Sequence, residues 1–598
     1  MPTPPAGRAA PAAPLRPRSR APLGGLALAG LVACQPKAPT ESQRAVIDVG
    51  DAFDVAPWRS RPSGPEPIVM KAHIELPAGR RSEAADLVLD GLWFIAEVTV
   101  DGQALPAMTG GAPTQRVPLG EAFLDGEADI VIRISPPGPA DNPSITGGGL
   151  STFKGEVPPD QAWLARPPSL ELHGRQQLRT TVLIAEDDGK VRPVAWTDGL
   201  STAGARVRFS ASLDGKTIAE LGESAVAPDG RSIGEPVDWS GPRWTPSNPA
   251  LVQFESTLLD AEGKVLDHRV DRTGVRRTKL EPLALMIEEE PYRLHGVRAN
   301  FAPGPRSFAD EIGPMMAAGI NAIELHGELV PEDWSSDADE LGIPLIRLAR
   351  CAGLAWQHNL DTKGREALIQ DQDRRTVEGL HHHPSTVLWV EEPGPASKGS
   401  GRPELESKRL KQDPHRRPNV PDSIGGVPFA TNPDRPCGDY PCARMFAREV
   451  LGANPANWPD VAKGWSTQLS HGMWGGVLPT AEAVNGLPDA WINTFLPLLT
   501  EAGVQPWPRG TRRARANLQV TGLVPGAVVI VEAPGLTPTG AVANARGEAL
   551  LRPYYEGEAT LKSGEGQIPV RIEPVRWNDL SRETKTQVVP WAPVAPTP

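Results

Sequence analysis

The sequence has no excess of positive charge. Its 61 lysines and arginines are outnumbered by 73 aspartates and glutamates, which gives a formal net charge of -12 at pH 7. A protein that binds nucleic acid needs a basic face to replace phosphate counterions. The charge balance therefore argues against a nucleic-acid partner.

The N-terminal hydrophobic run is too short to span a bilayer stably. This run, Leu23–Ala33, follows Arg8, Arg16, Arg18 and Arg20. A basic segment followed by a short apolar run and small residues is typical of a secretory signal peptide. We therefore predict that the protein is exported.

The run ends in Leu31-Val32-Ala33-Cys34, which resembles the lipobox of bacterial lipoproteins. The resemblance implies that residues 1–34 are a signal, that Cys34 is lipidated, and that residues 35–46 are a tether. In bacterial lipoproteins, an Asp directly after the lipidated cysteine disfavours sorting to the outer membrane. Gln35 occupies that position here, so the outer membrane is the expected location. The alternative is a chance cysteine after an ordinary signal peptide. Contact with a membrane is predicted only through this lipid.

Cysteine is scarce, with four in the chain. Cys437 and Cys442 are close together in a segment that contains Pro and Gly, and in an oxidising compartment a disulfide between them is expected. Two free thiols are the alternative. No His/Cys cluster has convincing zinc spacing. For His381-His382-His383 the alternatives are adventitious metal binding and a solvated loop, and the solvated loop is the preferred interpretation. We predict no metal and no cofactor.

Proline and glycine are abundant, and they separate short alternating strands along the first half of the chain. The segment Ile47–Pro137, with turns such as Asp101-Gly102, is typical of a β-sandwich. Ser169–Thr278 repeats the pattern over about 110 residues, which suits an immunoglobulin-like sandwich. Short strands between Leu518 and Leu561 predict a small C-terminal β-domain.

The pattern changes after Pro291 to alternating strands and helices, which predicts a parallel α/β layer. The predicted strands are Tyr292–Val297, Asn321–Leu325, Ile343–Leu348 and Thr386–Val390. The predicted helices are Ser307–Ala318, Trp334–Leu341 and Asp361–Leu380.

Several motifs occur in the order found in family-2 glycoside hydrolases, the family of β-galactosidase, β-glucuronidase and β-mannosidase. Each is weak alone, but their shared order makes the resemblance specific over roughly residues 65–425. The motifs are VTVDG at Val98–Gly102, RWTPSNP at Arg243–Pro249, YRLHGV at Tyr292–Val297, MAAGINAI at Met316–Ile323, DELGI at Asp339–Ile343, His383-Pro384-Ser385 with Trp389, and LKQDPHRRP at Leu410–Pro418.

The resemblance implies a multidomain β and α/β fold. The expected parts are a jelly-roll sandwich at 47–165, an immunoglobulin-like sandwich at 166–280, a (β/α)8 TIM-like barrel at 281–510, a small β-domain at 511–575 and a disordered tail at 576–598. About 215 residues lie between 295 and 510, against a typical barrel total near 250, so the barrel is expected to be minimal or degenerate.

The resemblance also implies where the chemistry lies. The family's acid/base is the Glu of W-S-x-G-N-E at the end of the fourth barrel strand. A gapless alignment on Trp389 places that Asn-Glu pair on Pro393 and Gly394, but a loop shorter by two residues gives the role to Glu392, with Glu391 beside it. Trp389 and His326 are expected substrate-binding residues. Trp474 is a third, in a loop that suits sugar stacking but whose spacing is not the family's.

Other positions depart from the family pattern. The expected Arg of strand two is Glu324, and no Glu-Tyr-Gly step marks a nucleophile. Glu449, Glu482 and Glu501 are the remaining acids for that role, each more typical of a solvated surface.

Two functions therefore stay open. The first is hydrolysis of β-linked sugars by two carboxylates. The second is an inactive family-2-like lipoprotein that binds glycans or an envelope partner. Carbohydrate is the expected partner in the first case.

Overall fold

The computed structural model describes residues 44–58, 66–76, 84–93, 95–109, 114–120, 126–136, 162–199, 204–281, 284–292, 294–300, 308, 320–326, 331–349, 374–391, 413–421, 445–447, 475–478, 515–575 and 586–592. All of them belong to the unit Glu41–Pro598. None of the helices in these ranges is long and apolar enough to cross a bilayer. The predicted signal with Cys34, and the predicted disulfide between Cys437 and Cys442, lie outside the described residues.

The first β-region contains eleven strands within the described ranges. They are β1 (Ala45–Asp48), β2 (Ile68–Glu75), β3 (Ala84–Asp90), β4 (Leu92–Trp93), β5 (Ile95–Val100), β6 (Gln103–Ala104), β7 (Met108–Thr109), β8 (Thr114–Pro118), β9 (Glu127–Ser135), β10 (Trp163–Leu164) and β11 (Ser169–His173). A 3-10 turn, Gly50–Ala52, follows β1.

These strands form two main sheets around one core. One sheet has the order β2-β9-β5-β6, and the other contains β1-β11-β3-β8. Alternate residues of β9 are buried, and Ile130 and Ile132 share a core with Ile47 and Leu87 of the opposite sheet. The predicted boundary at 166 is therefore wrong, because β11 pairs with β1 and β3 of this first region.

The second β-region contains eight strands in the described part of the chain. They are β12 (Gln177–Ala185), β13 (Lys190–Asp198), β14 (Arg206–Leu213), β15 (Lys216–Ala225), β16 (Arg231–Ile233), β17 (Val237–Asp238), β18 (Val252–Leu259) and β19 (Val265–Thr273). One sheet is β12-β13-β16 with β17 on β13, and the other is β15-β14-β18-β19. Phe209 and Phe254 stack in the core between them, with ring centroids 5.9 Å apart.

A three-stranded sheet and a parallel sheet follow. The first consists of β20 (Thr278–Glu281), β21 (Ala284–Ile287) and β22 (Glu290–Tyr292). The parallel sheet consists of β23 (Leu294–Asn300), β24 (Ala322–His326), β25 (Leu345–Ala349), β26 (Thr386–Glu391), β27 (Asn419–Pro421), β28 (Met445–Ala447) and β29 (Gly475–Leu478). Two described helices accompany it, α1 (Glu332–Leu341) and α2 (374–379).

The strand order of the parallel sheet is β27-β26-β25-β24-β23-β29-β28, and every pair is parallel. Consecutive strands are neighbours from β23 to β27, and β29 pairs back onto β23. Leu285 and Ile287 of β21 share a core with Leu294, Ile346 and Leu388 near the amino ends of the strands. The small antiparallel sheet therefore packs near this end of the parallel sheet and leaves the carboxyl ends to the loops.

The C-terminal region contains seven strands in the described ranges. They are β30 (Asn517–Thr521), β31 (Val528–Glu532), β32 (Thr539–Val542), β33 (Glu548–Leu551), β34 (Gly557–Ser563), β35 (Gly566–Ile572) and β36 (Thr586–Pro590). The order β33-β30-β36 makes one sheet. The other four strands join β1, so one eight-stranded sheet has the order β35-β34-β31-β32-β1-β11-β3-β8.

Two predicted boundaries are wrong at the ends of the chain. The tether was expected to reach residue 46, but Ala45 and Val46 belong to β1, and Arg44 is 5% exposed in ion pairs with Glu171 and Asp267. The tail from 576 was expected to be disordered, but β36 pairs in parallel with β30. Val589 packs against the C-terminal core, which explains why this segment is ordered.

Candidate functional site

The carboxyl ends of the parallel strands meet at one edge of the sheet. Asn300 at the end of β23 is level with His326 at the end of β24, and Glu391 at the end of β26 is level with Ala349 of β25 and Pro421 of β27. Two strand spacings separate β24 from β26, which puts their backbones about 10 Å apart. In proteins of the TIM-barrel fold, the corresponding edge of the parallel strands carries the chemistry.

This edge contains two of the residues that the sequence nominated. The structure places the backbones of Glu391 and His326 there, while Glu392 and Trp474 lie outside the described residues. The catalytic role of Glu391 and Glu392, and the substrate-binding role of His326 and Trp474, stay predictions.

Glu324 is a buried carboxylate on the inner strands of the sheet. It is 1% exposed, and its register partners are Arg298 of β23 and Ile346 of β25. Because register partners in a parallel sheet share a face, Glu324 lies on the face that holds Ile346 and Leu388 in the core. The sequence shows Glu324 as an acid inside the otherwise apolar run AIEL. From the sequence alone it was identified only as a departure from the family pattern.

Trp389 lies inside the protein. Its ring is 1% exposed, it packs on Val377 and Leu380, and its indole N–H donates to Oδ2 of Asp413 at 2.8 Å. The guanidinium of Arg417 lies over the ring, 5.1 Å from the centroid. In this position neither face of the ring is open to a sugar, so the geometry supports a structural role for Trp389. Substrate binding by Trp389 stays a prediction that the geometry does not support.

Asp413 and Arg417 form a buried ion pair that holds β26 against the segment before β27. Arg417 Nε donates to Asp413 Oδ2 at 2.8 Å and Nη2 donates to Oδ1 at 3.1 Å. Burial alone would raise the pKa of Asp413, but the charge and hydrogen bonds of Arg417 hold that pKa well below its usual value. The LKQDPHRRP motif therefore acts here as a clamp on β26.

The three consecutive histidines are not solvated, so that interpretation is wrong. His381 and His383 are each 2% exposed, and His382 is half-buried. Nδ1 of His383 bonds to Asp339 Oδ2 at 2.6 Å, and Nε2 of His382 lies 3.4 Å from Oε1 of Glu332. The partners come from α1, more than forty residues upstream, and no local pattern in the sequence marks them.

The electrostatics of this cluster are strong. Burial lowers the pKa of His383, but Asp339 and Glu332 outweigh it and raise that pKa to about 9. Burial would raise the pKa of Glu332, whereas the neighbouring imidazoles of His382 and His383 bring it well below its usual value. The carboxylate of Glu332 and the imidazole of His383 therefore stabilise each other's charged forms.

A cavity of about 650 Å³ opens beside this cluster, lined by the first β-region, β19, α1 and the C-terminal strands. Its walls carry paired charges: Arg116 binds Glu171 at 2.9 Å, Arg166 binds Asp333 at 3.0 Å, and Arg515 binds Asp337 at 3.0 Å. These pairs offset one another, so the cavity is polar without a strong net charge. The sequence did not predict it, because its lining comes from segments far apart in the chain.

Comparison with known proteins gives no match to a protein-family model and no match among curated proteins. Solved structures do match. A glycosyl hydrolase family 2 member from Bacteroides cellulosilyticus is 13% identical, with a TM-score of 0.59, over 89% of this chain and 85% of that chain. The fold is that of glycoside hydrolase family 2.

Two further family-2-fold structures agree. A putative β-galactosidase from Bacteroides fragilis is 15% identical, with a TM-score of 0.55, over 91% of this chain and 93% of that chain. The β-glucuronidase of Ruminococcus gnavus is 16% identical, with a TM-score of 0.51, over 69% of this chain and 74% of that chain. Identities this low establish the fold and not the activity, as one fold hosts several functions.

Proposed function

We propose that this chain is a glycoside hydrolase that cleaves β-linked sugars with two carboxyl groups and no cofactor. The observation that carries the proposal is the place of Glu391, at the carboxyl end of the fourth consecutive parallel strand. The fold neighbours support the substrate class, since they include a β-glucuronidase that was solved with D-glucuronic acid.

The proposed chemistry assigns a role to each carboxyl group. Glu392 is the acid/base that protonates the leaving oxygen, and a second carboxylate attacks the sugar to form a glycosyl ester that water then cleaves. Mutual repulsion between the adjacent carboxylates Glu391 and Glu392 is the proposed source of the raised pKa that a general acid requires. Glu324 joins Glu449, Glu482 and Glu501 as a carboxylate to test for the attacking role.

The finer architecture belongs to the same proposal. The parallel sheet closes as a (β/α)8 TIM-like barrel, the first region is a jelly roll, and the second is immunoglobulin-like. The return of β29 onto β23 supports closure, since the last strand of a barrel pairs with its first.

The proposed location is the cell envelope. Cys34 carries a lipid and holds the protein at the outer membrane, as the lipobox-like segment suggests. Mass spectrometry of the N-terminal peptide tests this: a diacylglyceryl or triacyl mass on Cys34 supports the anchor, and a free cysteine or a cleavage elsewhere overturns it.

Turnover of chromogenic β-glucuronides and β-galactosides tests the hydrolase. We expect activity in the unchanged chain and a loss of at least about 100-fold in Glu392→Gln, the size of a general acid's contribution. Glu97→Gln, an exposed change on β5, is the matched control and keeps full activity. Equal rates in Glu392→Gln and the unchanged chain contradict the assignment.

A second function is favoured by two observations. The Trp expected beside a sugar is buried in the Asp413–Arg417 clamp, and the expected Arg of strand two is a buried Glu324. A chain with these changes binds glycans without cleaving them. Glycan binding without turnover in the same assays supports this alternative over hydrolysis.

A further inference from the structure

The Glu332, His382 and His383 side chains bring three ligand atoms together from two elements. These atoms all lie within 4.8 Å of one another. Nε2 of His382 is 3.4 Å from Oε1 of Glu332, and Nε2 of His383 is 3.9 Å from the same oxygen. Two ligands bound to one tetrahedral ion at about 2.1 Å are separated by about 3.4 Å. The spacing therefore suits a single bound ion.

The free nitrogen of His383 is aimed at this point. The side chain is 1% exposed, and across the described residues its Nε2 has no hydrogen-bond partner. Nδ1 is held by Asp339, which fixes the ring with Nε2 toward Glu332, and a metal ion that binds Nε2 displaces its proton. A carboxylate behind a ligating histidine is a common arrangement in metal sites.

Glu332 is oriented in the same way. Thr114 of β8 donates to Oε2 at 3.1 Å, so Oε1 is the oxygen that faces the two imidazoles. Arg116, whose charge acts on Glu332, is itself bound to Glu171. Each of the two outer partners, Asp339 and Thr114, therefore turns a ligand atom toward one point.

We propose that Glu332, His382 and His383 bind a divalent transition-metal ion of the zinc class. Two imidazoles and one carboxylate suit zinc, whereas magnesium and calcium prefer oxygen ligands. Glu332 and His382 line the cavity, so the fourth position of the ion faces a space large enough for a water. The ion joins α1 to the loop before β26, and through Thr114 it braces the first β-region.

Zinc titration of the purified, chelator-treated chain tests the proposal by calorimetry. We expect one equivalent of Zn²⁺ to bind, and binding at least tenfold weaker in His382→Asn and in Glu332→Gln. His73→Asn is the matched control, because that histidine is 58% exposed on β2, a strand that does not line the cavity. Failure of the unchanged chain to bind one equivalent, or equal affinity in His382→Asn, overturns the proposal.

Cobalt gives an independent measurement if a variant fails to fold. Co²⁺ bound by nitrogen and oxygen shows visible bands without a thiolate-to-cobalt band in the near ultraviolet. This spectrum in the unchanged chain supports the site. A thiolate band places the ion on some of the four cysteines and contradicts it. Bound zinc also raises the thermal midpoint, since an ion that binds the folded state stabilises it.

Discussion

At the scale of single residues, buried charges hold β26 in place. Asp413 and Arg417 are 2% and 0% exposed, and they bind each other, the indole of Trp389 and the carbonyl of Leu380. Buried pairs of this kind add little net stability by themselves, but removal of one partner leaves the other charge unpaired in the interior. The clamp therefore specifies where β26 lies.

Asp413→Asn tests the clamp. The free energy of unfolding should fall by about 3–5 kcal/mol, because the Arg417 charge stays buried without its partner. Urea denaturation measures the change, with Glu97→Gln as the control, since its pair with Arg133 is exposed. A loss no larger than that of the control contradicts the role of the clamp.

The pKa of His383 predicts a dependence of stability on pH. Its pKa is 6.5 when free and about 9 in the fold. The pair with Asp339 therefore contributes fully below about pH 6.5, and the contribution is lost as the pH rises through 9. The shift corresponds to about 3 kcal/mol.

Urea denaturation of the unchanged chain and of His383→Gln, from pH 6 to 10 with a chelator, measures this contribution. The difference in stability between the two should shrink with rising pH. A constant difference over that range rules out the charged pair, whereas a shrinking one supports it.

At the scale of elements, the sequence predicted the positions of strands well, but it did not predict which distant segments contact each other. Alternation and apolar runs placed Thr386–Val390 where the structure has β26, and they placed Asn321–Leu325 within one residue of β24 at each end. Alternation is a local property, so it can be read from the chain. The shared sheet, the buried histidines and the Trp389 clamp depend on contacts between distant segments, which no local pattern encodes.

The end of α1 allows a matched pair of glycine substitutions. Gly342 caps the helix at φ +69°, a left-handed conformation that costs other residues about 1–2 kcal/mol. Gly379 is in α2, where an added Cβ would meet nothing within 4 Å. Gly342→Ala should therefore lower stability by about 1–2 kcal/mol, and Gly379→Ala should leave it unchanged or raise it by up to about 1 kcal/mol.

Thermal or urea denaturation of both variants measures the effect. Similar changes for the two substitutions contradict the assignment of a left-handed cap at Gly342.

At the scale of the whole molecule, β1 joins the two ends of the chain. It pairs antiparallel with β11 and parallel with β32, so strands near residues 45 and 540 lie in one sheet. Val528, Ile530 and Val542 enter the core of the first β-region. The C-terminal strands are therefore part of the same cooperative body as the N-terminal ones.

Val46→Pro tests this connection. Proline removes the N–H that donates to the carbonyl of Pro538 at 3.0 Å, and it disrupts a central strand. Amide hydrogen exchange should become faster in both β11 and β32, with β18 of the second region unchanged as an internal control. Faster exchange on one side of β1 alone contradicts a shared cooperative sheet.

The central claim is that carboxylates at the carboxyl edge of the parallel sheet cleave β-linked sugars. A 2-deoxy-2-fluoro β-glycoside with an activated leaving group tests it directly, because attack by the nucleophile expels the leaving group and leaves a slowly hydrolysed glycosyl ester. Mass spectrometry of the digested protein should then find one fluoroglycosyl group on one Asp or Glu, with activity lost in parallel. Full recovery of unlabelled protein, with glycan binding intact, contradicts the assignment as a hydrolase. It supports instead a glycan-binding protein of the same fold.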